Sequence, residues 1–275
     1  MTEYLSYTFE DSPAFTDTFD ELPLWSAPFG LLLLQHLELN RNLTVLDLGS
    51  GAGFPLLELA ERLGKSCKLY GIDPWENANA RARKKIAQYG LSNVEIIEAS
   101  AAKIPFADQT VDLIVSNLGI NNFEDPQAVF EECYRVLKFK GKLALTTNLN
   151  GHWKEFYKVF EQTLLQLKKK HLADKLNEHQ AHRGTVKSIS KIFANAGFKV
   201  TRQVEDRFEM KFYDGSAFLN HHFIKLGWLS SWRSLLPQEE LEEIFSALED
   251  NLNAVSNASG GLSLTVPMAF VEGKK

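Results

Sequence analysis

Between Leu43 and Asn148, short runs rich in leucine and β-branched residues alternate with segments of helical length, and that alternation leaves few folds open. The runs are Leu43 to Leu48, Cys67 to Asp73, Val94 to Glu98, Val111 to Asn117 and Lys142 to Thr147. Near-continuous apolar runs are what strands buried on both faces require, and the segments between them suit crossover helices. The pattern predicts an α/β chain with a parallel sheet. The crossovers are Phe54 to Leu63, apolar along one face, Asn77 to Tyr89, with a basic face, and Pro126 to Leu137, which opens on proline and stops before Gly141.

After Asn150 the pattern changes. Trp153 to Leu172 reads as one long amphipathic helix ending in Lys168, Lys169 and Lys170, which the pattern assigns to a solvated face. Thr185 to Ala196 is a helix closed by Gly197, and Phe198 to Phe212 alternates with charges as a sixth strand would. Asp214 to Leu236 and Gln238 to Ala254 read as helices divided by Pro237, ahead of a final strand, Leu262 to Val271. Strands six and seven are thus parted by a helical insert of about 45 residues, where a hairpin needs about 2 to 5. The organisation expected is an N-terminal helical cap segment at 1–40, a core at 41–213 with a helical extension near 151–184, a cap insert at 214–260 and the final strand at 261–275.

The 275 residues, 44% hydrophobic and 24% charged, can bury a sizeable core, which excludes a disordered or fibrous chain. A net charge of -5 offers no basic field for a phosphate backbone or an anionic bilayer, so neither nucleic acid nor membrane is an expected partner. Cys67 and Cys133 stand far apart and read as core residues of a reducing compartment. Met1 to Asp20 lacks a basic region leading into an apolar stretch, and the expected location is the cytoplasm.

The strongest local signal is Val45-Leu46-Asp47-Leu48-Gly49-Ser50-Gly51-Ala52-Gly53, a strand running into a glycine-rich turn and then a helix. Alternate glycines permit a tight turn and let a ligand press against bare backbone. A dinucleotide turn would place its third glycine one residue later, where Phe54 stands, so an NAD-dependent oxidoreductase is the disfavoured reading. Asp47 puts a carboxylate where a bound cation would need one. Asp73 ends the second strand about 20 residues past Gly53, the distance at which an acid meets ribose hydroxyls. The bland reading of both acids is a helix cap or turn residue.

With Gly71-Ile72-Asp73, Ile104-Pro105-Phe106-Ala107-Asp108 followed by Val111-Asp112, and Glu132 to Lys138 leading to Gly141-Lys142-Leu143, the chain resembles the class I S-adenosylmethionine-dependent methyltransferases, above all the ubiquinone and menaquinone biosynthesis group. The resemblance spans about Leu43 to Thr147. It implies a Rossmann-like seven-stranded sheet with its last strand antiparallel, helices on both faces and a helical cap. It also implies S-adenosylmethionine as cofactor and S-adenosylhomocysteine as product. Asp47 would face the methionine ammonium, Gly49, Ser50, Gly51 and Gly53 the methionine and ribose, and Asp73 the ribose hydroxyls. Pro74 and Trp75 would lie near adenine, and Asn117 and Leu118 beside the methionine part. The acid that the family carries after the third strand is replaced by Ser100, followed by Ala101 and Ala102. The Asn/Asp-Pro-Pro-aromatic run of enzymes that methylate nucleic-acid bases is absent after the fourth strand.

Methyl transfer is an in-line displacement that relies on positioning and exclusion of water, so a base is needed only when the nucleophile must lose a proton early. His221 and His222, adjacent on an expected cap helix, are the candidate bases, ahead of Tyr213 and Asn220. Tyr7, Trp25, Trp153, Phe218 and Trp228 are the candidate substrate residues, within an aromatic set that includes Tyr4, Phe9, Phe15, Phe19, Phe29, Phe223 and Trp232. His152 could line the same cleft. His179 and His182, with Glu178, mimic metal ligands but lack a third partner in sequence, so no metal is expected, and two separated cysteines do not suit arsenic. The expected activity is methyl transfer to a small, partly apolar or aromatic molecule; the alternative is a non-catalytic protein of the same fold that binds S-adenosylmethionine or S-adenosylhomocysteine.

Overall fold

The computed structural model describes residues 2–8, 11–20, 25–181 and 183–275, with side chains for all but 18–20 of these. Its centre is a seven-stranded sheet of β1 (Thr44–Leu48), β2 (Lys68–Asp73), β3 (Val94–Glu98), β4 (Val111–Asn117), β5 (Leu137–Asn148), β6 (Lys199–Phe212) and β7 (Leu262–Lys274). The spatial order is β3-β2-β1-β4-β5-β7-β6. The first five strands pair in parallel and β7 runs antiparallel to β5. Strand order therefore reverses between β1 and β4, and a ligand crevice forms at the carboxyl ends of the strands flanking such a reversal.

The helices follow, with α1 at Pro13–Asp20, α2 at Ser26–His36, α3 at Leu56–Leu63, α4 at Glu76–Tyr89, α5 at Pro126–Val136, α6 at Lys154–Gln166, α7 at Lys170–Ala181 and α8 at Val186–Asn195. α3 buries Leu56, Leu57, Leu59, Ala60 and Leu63, each leucine contributing about 1.5 to 3 kcal/mol when removed from water. α4 instead buries only Ala78, Asn79 and Ala82. Small residues one turn apart let α4 come close to the glycine turn, where the Ala82 methyl would stand 3.6 Å from a Cβ at Gly53. Asp125 caps α5 by accepting the Ala128 N–H at 3.0 Å, and Pro126 opens the helix as expected.

Three expectations change. β5 begins at Leu137, five residues early, because Val111 pairs with Leu137 and Leu113 with Lys142, and an irregularity absorbs the residues between. The single helix from 153 to 172 is two: Lys168 takes a left-handed φ of 60° after α6, and α7 starts at Lys170. Lys169 at that corner is no solvated lysine, since its ammonium pairs with Glu240 at 3.2 Å and Glu243 at 3.0 Å. The helix expected over 214–236 is also broken, into α9 (Gly215–Asn220), α10 (His222–Ile224), a π turn at Lys225–Leu229 and α11 (Ser230–Ser234), and α12 (Leu241–Ser259) follows.

The chain forms two compact units that do not coincide with the boundaries at 40, 213 and 260. One comprises Met1–Glu10, Leu149–Gly184 and Arg207–Pro267; the other comprises Asp11–Asn148, Thr185–Asp206 and Met268–Lys275 and holds β1 to β5. The region around 151–184 thus belongs with the insert, and residues from Asp11 onward belong with the sheet. Cys67 and Cys133 are buried in the sheet-bearing unit, as core residues should be.

Candidate functional site

In the sheet-bearing unit the glycine turn leaves β1 with Gly49, Gly51 and Gly53 at φ of 73°, 49° and 104°, a conformation that side chains with a Cβ rarely adopt. The Gly49 N–H donates to the Ile72 carbonyl at 2.9 Å, so the turn continues the β1–β2 ladder by one step. Around Gly51 a Cβ would meet nothing within 4 Å, which leaves open space beside bare backbone. Ser50 points the other way, and its hydroxyl is buried. Gly119, two residues beyond β4, presses against this turn, because a Cβ on Gly49 would lie 3.2 Å from the Gly119 Cα.

Gly119 itself admits no side chain: a Cβ there would stand 2.3 Å from Ser116 Oγ and 2.8 Å from the Leu48 carbonyl, to which Ser116 donates at 2.7 Å. Gly119→Ala is expected to destabilise the fold by about 1 to 3 kcal/mol, the usual cost of overpacking. A thermal melt checks it, and an unshifted midpoint would mean that the loop yields freely.

Asp47 is fully buried at the end of β1, and neither carboxylate oxygen has a hydrogen-bond partner among the described residues. Burial, and secondarily the negative Asp73, pushes its pKa up to about 8; the Leu56 N–H, outside hydrogen-bond geometry, weakly opposes the rise. A buried acid with no partner is costly unless a cation or donor meets it. The methionine ammonium fits that need, so the residues present suit the cofactor the resemblance implies.

Asp73 does two things at once. Its Oδ2 accepts the Gly51 N–H at 2.9 Å and its Oδ1 the Trp75 N–H at 2.8 Å, tying the glycine turn to the start of α4. The turn-residue reading of Asp73 is therefore correct as far as it goes. A carboxylate has about four lone-pair sites, so each oxygen keeps one for a ribose hydroxyl. Pro74 is exposed, and Trp75 is half-buried, with its indole N–H donating to Asp11 Oδ1 at 2.9 Å. Ser100 is exposed and accepts the Ala102 N–H at 3.2 Å, which makes it a cap of its own turn, and Ala101 is buried while Ala102 is exposed.

At the end of β4, Asn117 accepts the Thr146 hydroxyl at 2.7 Å and donates to the Ser26 carbonyl at 3.2 Å, which joins the strand ends to the start of α2. Leu118 takes a left-handed φ of 67°, and its N–H donates to the Thr146 carbonyl at 2.9 Å. Trp25 packs on Phe29 in the same unit at a centroid distance of 5.3 Å. All thirteen cofactor candidates and Trp25 thus lie in the sheet-bearing unit.

The remaining candidates lie in the other unit. The Tyr7 ring meets His222 edge-on at 6.0 Å and faces the Lys225 ammonium at 5.7 Å. His222 Nε2 and His221 Nδ1 are buried without a hydrogen-bond partner among the described residues. Burial, then His222 and Lys225, lowers the His221 pKa, which favours the neutral ring. The two histidines are not on one helix: His221, in extended conformation, forms the break between α9 and α10. His152 stacks on Trp153 at 4.2 Å and Trp228 at 5.9 Å and is held neutral by burial. Trp153 and Phe218 are fully buried, and Phe218 spends its surface on Trp153, Phe156, Phe212 and Trp232. Tyr4 and Trp232 are likewise core residues, Trp232 donating to the Tyr157 hydroxyl at 3.1 Å. Tyr213 is 86% exposed and Asn220 donates to the Ser216 carbonyl of its own helix. Ser231 Oγ lies 3.4 Å from His179 Nε2. Phe9, His182 and the side chain of Phe19 lie outside the described residues.

A family model described as a methyltransferase domain matches residues 39–208. The chain belongs to the class I S-adenosylmethionine-dependent methyltransferases. This methyltransferase is 27% identical over 202 residues to a demethylmenaquinone methyltransferase of Listeria welshimeri, covering 70% of the chain and 82% of the relative. It is 36% identical over 103 residues to an arsenite methyltransferase of Halobacterium salinarum, but the match covers 38% of the chain and only 26% of that longer relative. Among solved structures, a protein of Bacillus halodurans C-125 described as a methyltransferase superposes with a TM-score of 0.60 at 22% identity, over 90% of this chain and 98% of that one. That likeness establishes the fold. With the family assigned, the NAD-dependent oxidoreductase reading falls.

Sequence reasoning did not single out Asp11, which fastens Trp75 and Asn77, or Gly119, which packs against the glycine turn. A glycine two residues past a strand end was a signal for Gly119; an acid beside an aromatic-rich segment was the only, and insufficient, signal for Asp11.

Proposed function

We propose that this methyltransferase transfers the methyl group of S-adenosylmethionine to a small, partly apolar or aromatic molecule inside the cytoplasm, without nucleic acid or membrane as partner. The buried, partnerless carboxyl of Asp47 beneath an open glycine turn carries the cofactor half of this reading. The bound cofactor supplies a methyl group on a positively charged sulfur. Asp47 holds the ammonium, Asp73 the ribose hydroxyls, and the bare backbone of Gly49 to Gly53 the chain between them, while Trp75 flanks the base. The acidic net charge supports the exclusion of polyanions, and among the described residues no helix is long and apolar enough to cross a membrane.

For the acceptor, support comes from the Tyr7–His222–Lys225 contact, which sets an aromatic ring beside a buried imidazole nitrogen with no hydrogen-bond partner among the described residues. His222 Nε2 takes the acceptor's proton and Tyr7 and Trp228 lend apolar surface. The demethylmenaquinone methyltransferase similarity makes a hydroxylated aromatic ring the first acceptor to try. The experiment is transfer of a labelled methyl group from S-adenosylmethionine to a panel of such rings and to small-molecule extracts. Labelled product supports an enzyme; tight S-adenosylhomocysteine binding with no labelled product from any source would favour the non-catalytic alternative. His222→Gln is expected to lower kcat about 10²-fold or more while KM for S-adenosylmethionine stays put, and an unchanged kcat removes His222 from the reaction.

A further inference from the structure

The carboxylate that the family places after β3 is missing, and Ser100 in its place has its hydroxyl oxygen engaged by its own turn. The same corner of the sheet receives a carboxylate from elsewhere. Asp73 and Glu98 are partners across β2 and β3, so Trp75 and Ser100 each stand two residues beyond a paired position at adjacent strand ends. Asp11 reaches this corner from the N-terminal segment, and its Oδ1 accepts both the Trp75 indole N–H at 2.9 Å and the Asn77 amide at 3.0 Å. The following helix fastens it there: Asp17 pairs with Arg81 at 3.5 Å, Phe15 packs against Trp75 at 6.3 Å, and Thr16 is buried.

Two donors on one oxygen fix the carboxylate and leave Oδ2 with no hydrogen-bond partner among the described residues. Such an oxygen can only accept. The adenosine part of the cofactor offers three donor groups, two ribose hydroxyls and the exocyclic amine. Asp73, at the end of β2, already serves the hydroxyls. We infer that Asp11 binds the exocyclic amine of adenine and stands in for the acid absent after β3. This inference rests on the S-adenosylmethionine reading of the site and adds a residue to it.

The test uses the full chain and two probes, S-adenosylhomocysteine and S-inosylhomocysteine, in which a carbonyl replaces the amine. Asp11→Asn keeps an oxygen for Trp75 and Asn77, so the segment stays fastened, but it turns an NH2 group toward the ligand. Calorimetric titration should show the unaltered protein preferring S-adenosylhomocysteine by about tenfold or more, and Asp11→Asn losing or reversing that preference, a change of about 1.4 kcal/mol per tenfold. An unchanged ratio in the variant overturns the inference, whether both affinities stay or fall together. If the unaltered protein binds neither probe, the cofactor reading fails with it; if it binds S-adenosylhomocysteine and the ratio ignores Asp11, only this inference fails.

Discussion

Asp47→Asn is expected to weaken S-adenosylmethionine binding by at least about a hundredfold, or about 3 kcal/mol, because it removes the buried carboxylate proposed to meet the methionine ammonium. The same substitution should not harm the empty protein. Wild-type Asp47 has a folded pKa near 8 against about 3.9 for an unfolded aspartate, so the folded chain holds a proton that the unfolded chain gives up across that interval. Stability of the empty protein must then fall as pH rises from about 4 to about 8 on account of this group, and the Asn variant must lack that part of the slope. Binding of the cationic cofactor to the ionised carboxyl releases the proton, so affinity should rise about tenfold per pH unit up to about 8 and level off above it. Calorimetry at pH 7 in two buffers of different ionisation enthalpy would count close to one proton released. A pH-independent affinity over 6 to 8 would show that the carboxyl is already ionised in the empty site.

Asp73→Ala should cost both stability and affinity, since the side chain anchors the glycine turn and is the one proposed to meet the ribose hydroxyls. Losing two hydrogen bonds to a charged acceptor is expected to cost about 3 to 6 kcal/mol, at about 2 to 4 °C of melting temperature per kcal/mol for a chain of this size. Binding of S-adenosylhomocysteine should fall about tenfold to a hundredfold beyond that. Asp73→Asn is the sharper variant. Its amide can accept only one of the Gly51 and Trp75 N–H groups and would turn donor to donor toward the other, so it should resemble the Ala variant. If Asn restores the melting temperature, the backbone bonds carry less than the geometry implies, and the residue acts through the ribose alone.

Much of the sheet could be read in the chain because its strands are buried apolar runs and its turns carry glycine or proline. β1 to β4 fall within a residue of the expected runs, and Pro126 and Gly197 mark their helix boundaries. Where reading failed, the deciding contact was distant in sequence. Apolar spacing continues from Leu164 to Leu172 across the α6–α7 corner, and no glycine or proline announces the break; the ion pairs of Lys169 with Glu240 and Glu243, some 70 residues on, hold it. The break at His221 is equally unmarked. Among candidate site residues, Asp47 was legible because it sits inside a local motif. Phe218 and Trp153 were not, because an aromatic residue lining a cleft and one packed in a core have the same composition, and only burial separates them. Asp11 was invisible for the same reason as Lys169: its partners lie 64 and 66 residues away.

The contact of Gly49 with Gly119 gives two loops a shared boundary with no side chain between them to absorb displacement. Asn117, which closes β4, and Leu118 after it lead directly into Gly119, so a shift of this segment presses on the glycine turn proposed to hold the methyl donor. Acceptor and donor occupancy should be thermodynamically linked through this hinge. Redesign of Ile120 to Asn122 for a new acceptor would register first as a change in affinity for the donor.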